Sequence, residues 1–176
     1  VQKPELTRFE QTVLPHLDAA YNLARWLTGN EHDAEDVVQE SYLRAVKFFR
    51  GFHGESARPW LLAIVRNTCY TWLRRNRMDE PTTELDDSTQ VIDPSSANPE
   101  SILLAAARTE LVRQALEALP PGFREIVILR ELEGMSYKEI ADIASIPVGT
   151  VMSRLARARA RLQKLLSEPD LTEARA

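Results

Sequence analysis

Five cations, Arg154, Arg157, Arg159, Arg161 and Lys164, stand between Val148 and Leu166 with no carboxylate among them. Cations at that density neutralise phosphates, and a guanidinium fork can read a guanine edge in a major groove. A second acid-free group, Arg58, Arg66, Arg74, Arg75 and Arg77, interleaves with the aromatic Tyr70, while Trp60 and Trp72 fall on the apolar stripe of the same segment. Cations alternating with aromatic rings suit a nucleic-acid backbone and its unstacked bases. Against these stands an acidic group, Asp33, Glu35, Asp36 and Glu40. Its i, i+3 and i, i+4 pairs allow two readings: a docking face for a basic partner, or a metal site. A metal enzyme needs a His or carboxylates from a second element, and His16, His32 and His53 stand alone. The docking reading is favoured, and no metal, cofactor or catalytic residue is expected. A magnesium-dependent nuclease on Asp33, Asp36 and Glu40 is the enzyme alternative, and magnesium-dependent cleavage of DNA by the chain alone separates the two.

The cationic run needs a helix to present it. Ser136 followed by Glu139 forms a capping box, so a short helix starts there and buries Ile140 and Ile143. Pro147 interrupts it, and a longer helix opens near Pro147 or Val148. Val151, Leu155, Ala158, Leu162 and Leu165 recur at spacings of four and three, one apolar stripe. At about 100° per residue, Thr150, Ser153, Arg154, Arg157, Arg161 and Lys164 fall opposite. A solvated bundle helix is the bland reading, but its exposed face would alternate Glu with Lys. Gly149 and Thr150 are also small residues at a helix start, where backbone approaches phosphates closely. A short helix, a tight turn and a one-sided basic helix read as a DNA-binding helix-turn-helix.

The other elements follow from periodicity. Pro4–Thr28 predicts a helix burying Leu6, Phe9, Val13, Leu17, Ala20, Ala24 and Leu27, kinked at Pro15 and capped at Gly29. His32–Phe49 predicts a second helix with its acids at the N-terminal end of the dipole. Arg50–Ala57 is a loop with Phe52 and His53 at its tip. A third helix begins around Ser56–Pro59; Trp60, Leu61, Ile64, Val65, Cys69 and Trp72 face inward, and Arg66, Asn67, Tyr70, Thr71, Arg74 and Arg75 outward. Asp79–Asn98 is acidic, rich in Pro, Ser and Thr, and free of Lys and Arg, as a flexible linker would be. Pro99–Leu119, with Ile102, Leu103, Ala106 and Leu111 inward, and Phe123–Leu132 complete the helices.

The fold class expected is all-α: two small helical domains joined by an acidic flexible linker, the second holding the helix-turn-helix. A chain of 176 residues, 44% apolar, can hold this. No apolar run is long enough for a membrane span, and polar residues break every apolar run near the N-terminus, so neither a membrane helix nor a secretory leader is expected. A single cysteine, Cys69, excludes an internal disulfide and suits the cytoplasm. The net charge of −4 is segregated into basic and acidic surfaces, which implies two kinds of partner.

Taken in order, DAEDVVQE, ARPWLLAIVRNTCYTWLRR, the acidic linker and LEALPPGFREIVILRELEGMSYKEIADIASIPVGTVMSRLARARARL resemble a bacterial sigma factor of the extracytoplasmic-function group of the sigma-70 family. The resemblance covers nearly the whole chain. It implies a region 2 domain over 4–78, a linker over 79–98 and a region 4 domain over 99–168. It implies a transcription initiation factor with three partners: core RNA polymerase (β′ clamp helices and β subunit), promoter DNA and an anti-sigma factor. Asp33, Asp36, Gln39, Glu40 and Arg44 would dock on the clamp helices. Phe52, His53, Arg66, Asn67, Tyr70, Arg74 and Arg75 would capture and melt the minus-10 element. Met152, Ser153, Ala156 and Arg157 would face minus-35 bases, with Thr150 in the same site, Arg124, Lys138 and Arg154 on phosphates, and Arg161 a turn further on toward the DNA backbone. The linker would thread toward the active-site and RNA-exit channels. Some members carry Arg where Met152 stands and an aromatic where Ala156 stands, so no promoter sequence carries over. The rival in the binding class is a dimeric helix-turn-helix repressor or activator, which leaves the acidic helix and the third helix without a role.

Overall fold

The computed structural model describes residues 3–76 and 99–167, and within them all regular structure is helical. The linker expected over 79–98, Arg77, and the tail beyond Ser167 lie outside the described residues. The helix expected over 4–28 is two: α1 (Lys3–Val13) and α2 (Leu17–Thr28), separated by a 3-10 turn at Leu14–His16. Pro15 is the cause, since it has no N–H to give and its ring obstructs the preceding turn. Gly29, at φ 88°, closes α2 with its N–H on Arg25 O at 3.1 Å. Asn30 then caps α3 (Glu31–Phe48), accepting from the Asp33 N–H at 2.8 Å. A 3-10 turn at Phe49–Gly51 leads to α4 (Ala57–Asn76).

Beyond the linker come α5 (Pro99–Glu117), α6 (Pro121–Val127), a π turn over Ile128–Leu132, α7 (Tyr137–Ala144) and α8 (Val148–Ser167). The capping box forms as the sequence requires: Ser136 Oγ accepts from Glu139 N at 3.1 Å, and Glu139 returns to Ser136 N at 2.8 Å. The turn between α7 and α8 is closed by Ile146 N–H on Ala141 O at 3.1 Å, with Ser145 left-handed at φ 55°.

Phe9, Val13, Leu23, Leu27, Val37, Leu61, Leu62 and Val65 form the core of the first half. Leu119, Ile126, Ile128, Leu129, Ile140, Ile143, Val151 and Leu155 form that of the second. The two cores are continuous, because α4 packs on α7 and α2 on α6. Four apolar residues assigned to buried stripes are instead exposed: Leu6 (40%), Leu103 (72%), Leu111 (52%) and Leu165 (40%). Leu6 and Leu165 lie in terminal stretches of their helices. Among the described side chains of α5, which exclude Ile102, those buried are Ala115 and Leu116, near its C-terminal end. Periodicity reports a helix's stripe but not where its partner stops.

Phe52 is a second correction. It is not a loop tip but a core residue, 9% exposed. Its ring lies 4.8 Å from that of Trp60 and stacks on Phe49 at 6.0 Å. The loop wraps over it so tightly that a Cβ on Gly54 would stand 3.0 Å from the Phe52 ring. Only His53 stays exposed, its Nδ1 3.0 Å from Gly51 O.

Candidate nucleic-acid and protein interfaces

Helix α8 buries Val151, Leu155 and Ala158 and turns Met152, Ser153, Ala156 and Arg157 to solvent. Ser153 Oγ donates to Thr150 O at 3.1 Å, and Thr150 is half-buried. Arg154 is half-buried too, its guanidinium reaching the start of α6 beside Gly122. Arg161 lies over the Phe123 ring at 4.8 Å, so it supports the α8–α6 contact whatever else it does. Arg159, outside the expected DNA set, pairs with Glu131 at 2.5 Å and ties α8 to the π turn. Lys138 is exposed on α7.

Arg124 departs from the sequence reading. Its guanidinium donates to Leu116 O (3.0 Å), Glu117 O (2.5 Å), Leu119 O (2.8 Å) and Trp26 O (2.9 Å). It thus caps the open carbonyls at the end of α5 and the turn after it, while bridging to α2. Burial lowers its pKa, with the Glu117 charge opposing. A guanidinium satisfied by four carbonyls has little left for a phosphate, which corrects its assignment as a phosphate contact.

On α3, Asp36 and Gln39 are exposed and Glu40 forms an i, i+4 ion pair with Arg44. Asp33 is half-buried and bonded to Asn30 through both main chain and side chain, so part of its capacity is spent on the cap. Leu43, 69% exposed, was missed by sequence reasoning. The spacing held the signal: Asp36, Glu40, Leu43 and Lys47 fall at steps of four, three and four on one stripe. That stripe therefore runs acid, acid, apolar, base.

Helix α4 presents Asn67, Arg74 and Arg75 to solvent, but not all of its expected outward set. Arg66 is bidentate on Glu125 of α6, Nε to Oε2 at 2.8 Å and Nη2 to Oε1 at 3.2 Å. The same guanidinium stacks on Tyr70 at 4.5 Å. Burial by itself would lower the Arg66 pKa, but the Glu125 hydrogen bonds and charge outweigh it and raise it. Tyr70 is half-buried, and burial first, then the Glu125 charge, pushes its phenol pKa up. Arg66 and Tyr70 thus face the other half of the chain rather than solvent. The partners Glu125 and Glu133 were missed because each has charged neighbours in sequence, Arg124 beside Glu125 and Arg130 and Glu131 before Glu133, and so reads as ordinary solvated surface. Cys69 is fully buried, and desolvation pushes its thiol to about 12. Among the described residues, no group of His, Cys, Asp and Glu is placed to hold a metal ion. No described helix is long and apolar enough to cross a membrane.

The described residues thus form an all-helical chain with one open face on a capped helix-turn-helix and a separate acidic stripe at the start of α3. Residues 12–78 match Sigma-70 region 2, and residues 109–162 match Sigma-70, region 4. The chain is 36% identical over 163 residues to the ECF RNA polymerase sigma factor SigE of Mycolicibacterium smegmatis, covering 91% of this chain and 62% of that protein. It is 38% identical over 135 residues to the ECF RNA polymerase sigma-E factor of Salmonella typhimurium, covering 72% and 70%. Its fold is similar to that of the sigma factor RpoE in complex with the anti-sigma factor NepR from Bartonella quintana: TM-score 0.74, 29% identity, over 90% of this chain and 96% of that one. It is also similar to CnrH in complex with the cytosolic domain of CnrY: TM-score 0.64, 28% identity, over 90% and 86%. The chain belongs to the extracytoplasmic-function group of the sigma-70 family.

Proposed function

We propose that this chain binds core RNA polymerase and directs transcription initiation at promoters that it selects through minus-35 and minus-10 elements. The observation that carries the reading is the open face of α8, where Met152, Ser153, Ala156 and Arg157 stand clear of the core behind a capped turn. That face reads bases; Lys138, Arg154 and Arg161 flank it for phosphates, with Thr150 at the helix start. Asp36, Gln39 and Glu40, with Asp33 and Arg44 beside them, form the face for the polymerase β′ clamp helices. His53, Asn67, Arg74 and Arg75 form the accessible part of the minus-10 site, and Arg66 and Tyr70 its covered part. The functional division follows 4–78 and 99–168, with 79–98 as linker toward the active-site channel. The factor carries no chemistry of its own and works in the cytoplasm beside the polymerase. One similar protein was solved with the anti-sigma factor NepR and another with the cytosolic domain of CnrY, which supports control by an anti-sigma partner here.

In vitro transcription tests the reading. Core polymerase with this chain should give discrete promoter-dependent transcripts that core alone does not. If the chain binds DNA tightly and specifically as a free dimer and adds no transcripts to core polymerase, the repressor reading replaces it.

A further inference from the structure

Two carboxylates of the second half are buried, and both are completed by groups of the first half. Glu125 is 0% exposed and takes the Arg66 fork described above. Glu133, 7% exposed, accepts from Arg58 Nη2 at 2.6 Å and Asn22 Nδ2 at 3.4 Å. The π turn sets the second contact: its wide ring, closed by Glu133 N–H on Ile128 O at 3.0 Å, ends on the very residue that meets Arg58. An Arg fork fits a carboxylate and a phosphate in the same bidentate way. Arg58 and Arg66 also belong to the acid-free group on α4, of which the proposed function gives Arg66, Arg74 and Arg75 to the minus-10 site; this inference rests on that reading and adds Arg58 to it. In this arrangement Arg66 has Nε and Nη2 on Glu125, and Arg58 has Nη2 on Glu133.

We propose that Glu125 and Glu133 are internal stand-ins for promoter phosphates. They close the second half over α4, so the minus-10 site has two mutually exclusive occupants, the chain's own carboxylates or DNA. The mask is one-sided. Arg66, Tyr70 and Arg58 lie beneath it, while Met152, Ser153, Ala156 and Arg157 remain exposed. The free chain therefore offers its minus-35 face and withholds its minus-10 face. Breaking a pair leaves a buried charge uncompensated, so the ionic contacts give a closed interface its specificity while the shared apolar core gives it area. A polyanion replaces the carboxylate at the Arg fork with no loss of hydrogen bonds on the α4 side.

The test uses the full chain and a fluorescent single-stranded DNA oligonucleotide carrying the non-template minus-10 sequence of a promoter that the wild-type holoenzyme transcribes. Dyes on cysteines introduced at Glu35 and Ala160, both exposed, report the separation of the halves by energy transfer. Glu125→Gln keeps the shape and removes the charge; Glu133→Arg sets two cations against each other. Each should reduce energy transfer and raise oligonucleotide affinity about tenfold or more, since apparent affinity scales with the open fraction. Adding Arg58→Glu to Glu133→Arg should restore the wild-type energy transfer. Helical circular dichroism accompanies each variant. A second measurement needs no variant: on saturation of the wild type with the oligonucleotide, amide exchange over 121–133 should rise. Opened halves with unchanged affinity, or folded variants with unchanged energy transfer, overturn the proposal. So does a segment 121–133 that DNA leaves unchanged or protects. If wild-type holoenzyme transcribes and these results fail, only the mask fails; if no promoter is transcribed, the reading of α4 fails first.

Discussion

Arg157 and Arg161 lie one turn apart on α8, and the structure gives them different obligations. Arg157 is exposed and takes part in no hydrogen bond or ion pair among the described residues. Arg157→Ala should therefore leave the unfolding midpoint within experimental scatter, about 0.5 kcal/mol or less. In holoenzyme it should cost about 1–3 kcal/mol at the preferred minus-35 sequence, roughly a 5- to 150-fold loss of affinity. That cost should shrink on promoters altered at one minus-35 base pair, because the lost contact is base-specific. Arg161 instead covers the Phe123 ring at 4.8 Å. Arg161→Ala should lower stability by about 0.5–1 kcal/mol, the range of an exposed cation–π contact. It should weaken all promoters alike and lower the salt slope by roughly one unit. Binding of holoenzyme to single-base minus-35 variants across a salt series reads both effects. A common loss at every promoter for Arg157→Ala, with a changed base preference for Arg161→Ala, would show that the helix docks rotated from this assignment.

Three further expectations follow from the same geometry. Asp36→Lys with Glu40→Lys should weaken binding to core polymerase by about 2 kcal/mol or more. Folding should hardly change, because the exposed Glu40–Arg44 pair is worth only about 0.3–0.5 kcal/mol; equal affinity for core enzyme at preserved helicity refutes the docking face. Phe52→Ala should destabilise the chain by about 3–5 kcal/mol in urea unfolding, as a core aromatic does, and a change under about 0.5 kcal/mol would return Phe52 to the loop surface. Cys69 should resist an aromatic disulfide reagent at pH 8, since a thiol pushed to about 12 is protonated there and buried as well. Rapid labelling without denaturant would contradict that burial.

Local chemistry was readable in the sequence wherever cause and effect lie within one or two turns. The Ser136–Glu139 box, the Pro15 break, the Gly29 cap and the stripe of α8 all depend on neighbours three or four residues away. The misplacements share a different cause. Phe52 looked like a loop tip because the ring nearest to it is that of Trp60, beyond the loop in the next helix. Arg124 looked like a phosphate contact because nothing within four residues of it is acidic except Glu125, while its real partners are four main-chain carbonyls. Main-chain acceptors leave no mark in a sequence. Leu103 and Leu111 kept helical periodicity on a stretch of α5 that lies exposed.

The contacts between the halves are the hardest case. Arg66 meets Glu125 across 59 positions and Arg58 meets Glu133 across 75, with the linker intervening. Each member of these pairs is plausible alone: an Arg beside an aromatic as a DNA contact, a Glu within a helix as solvated surface. Only their joint burial shows that they satisfy one another, because a carboxylate at 0% exposure needs a partner to remain charged. The same reasoning bears on why α4 lost its outward residues selectively. Arg74, Arg75 and Asn67, without an acid opposite, stayed exposed, whereas Arg66 and Tyr70 turned to a buried carboxylate. A residue type suited to DNA is for that reason suited to a carboxylate from its own chain, and which of the two it meets depends on what the rest of the fold brings within reach.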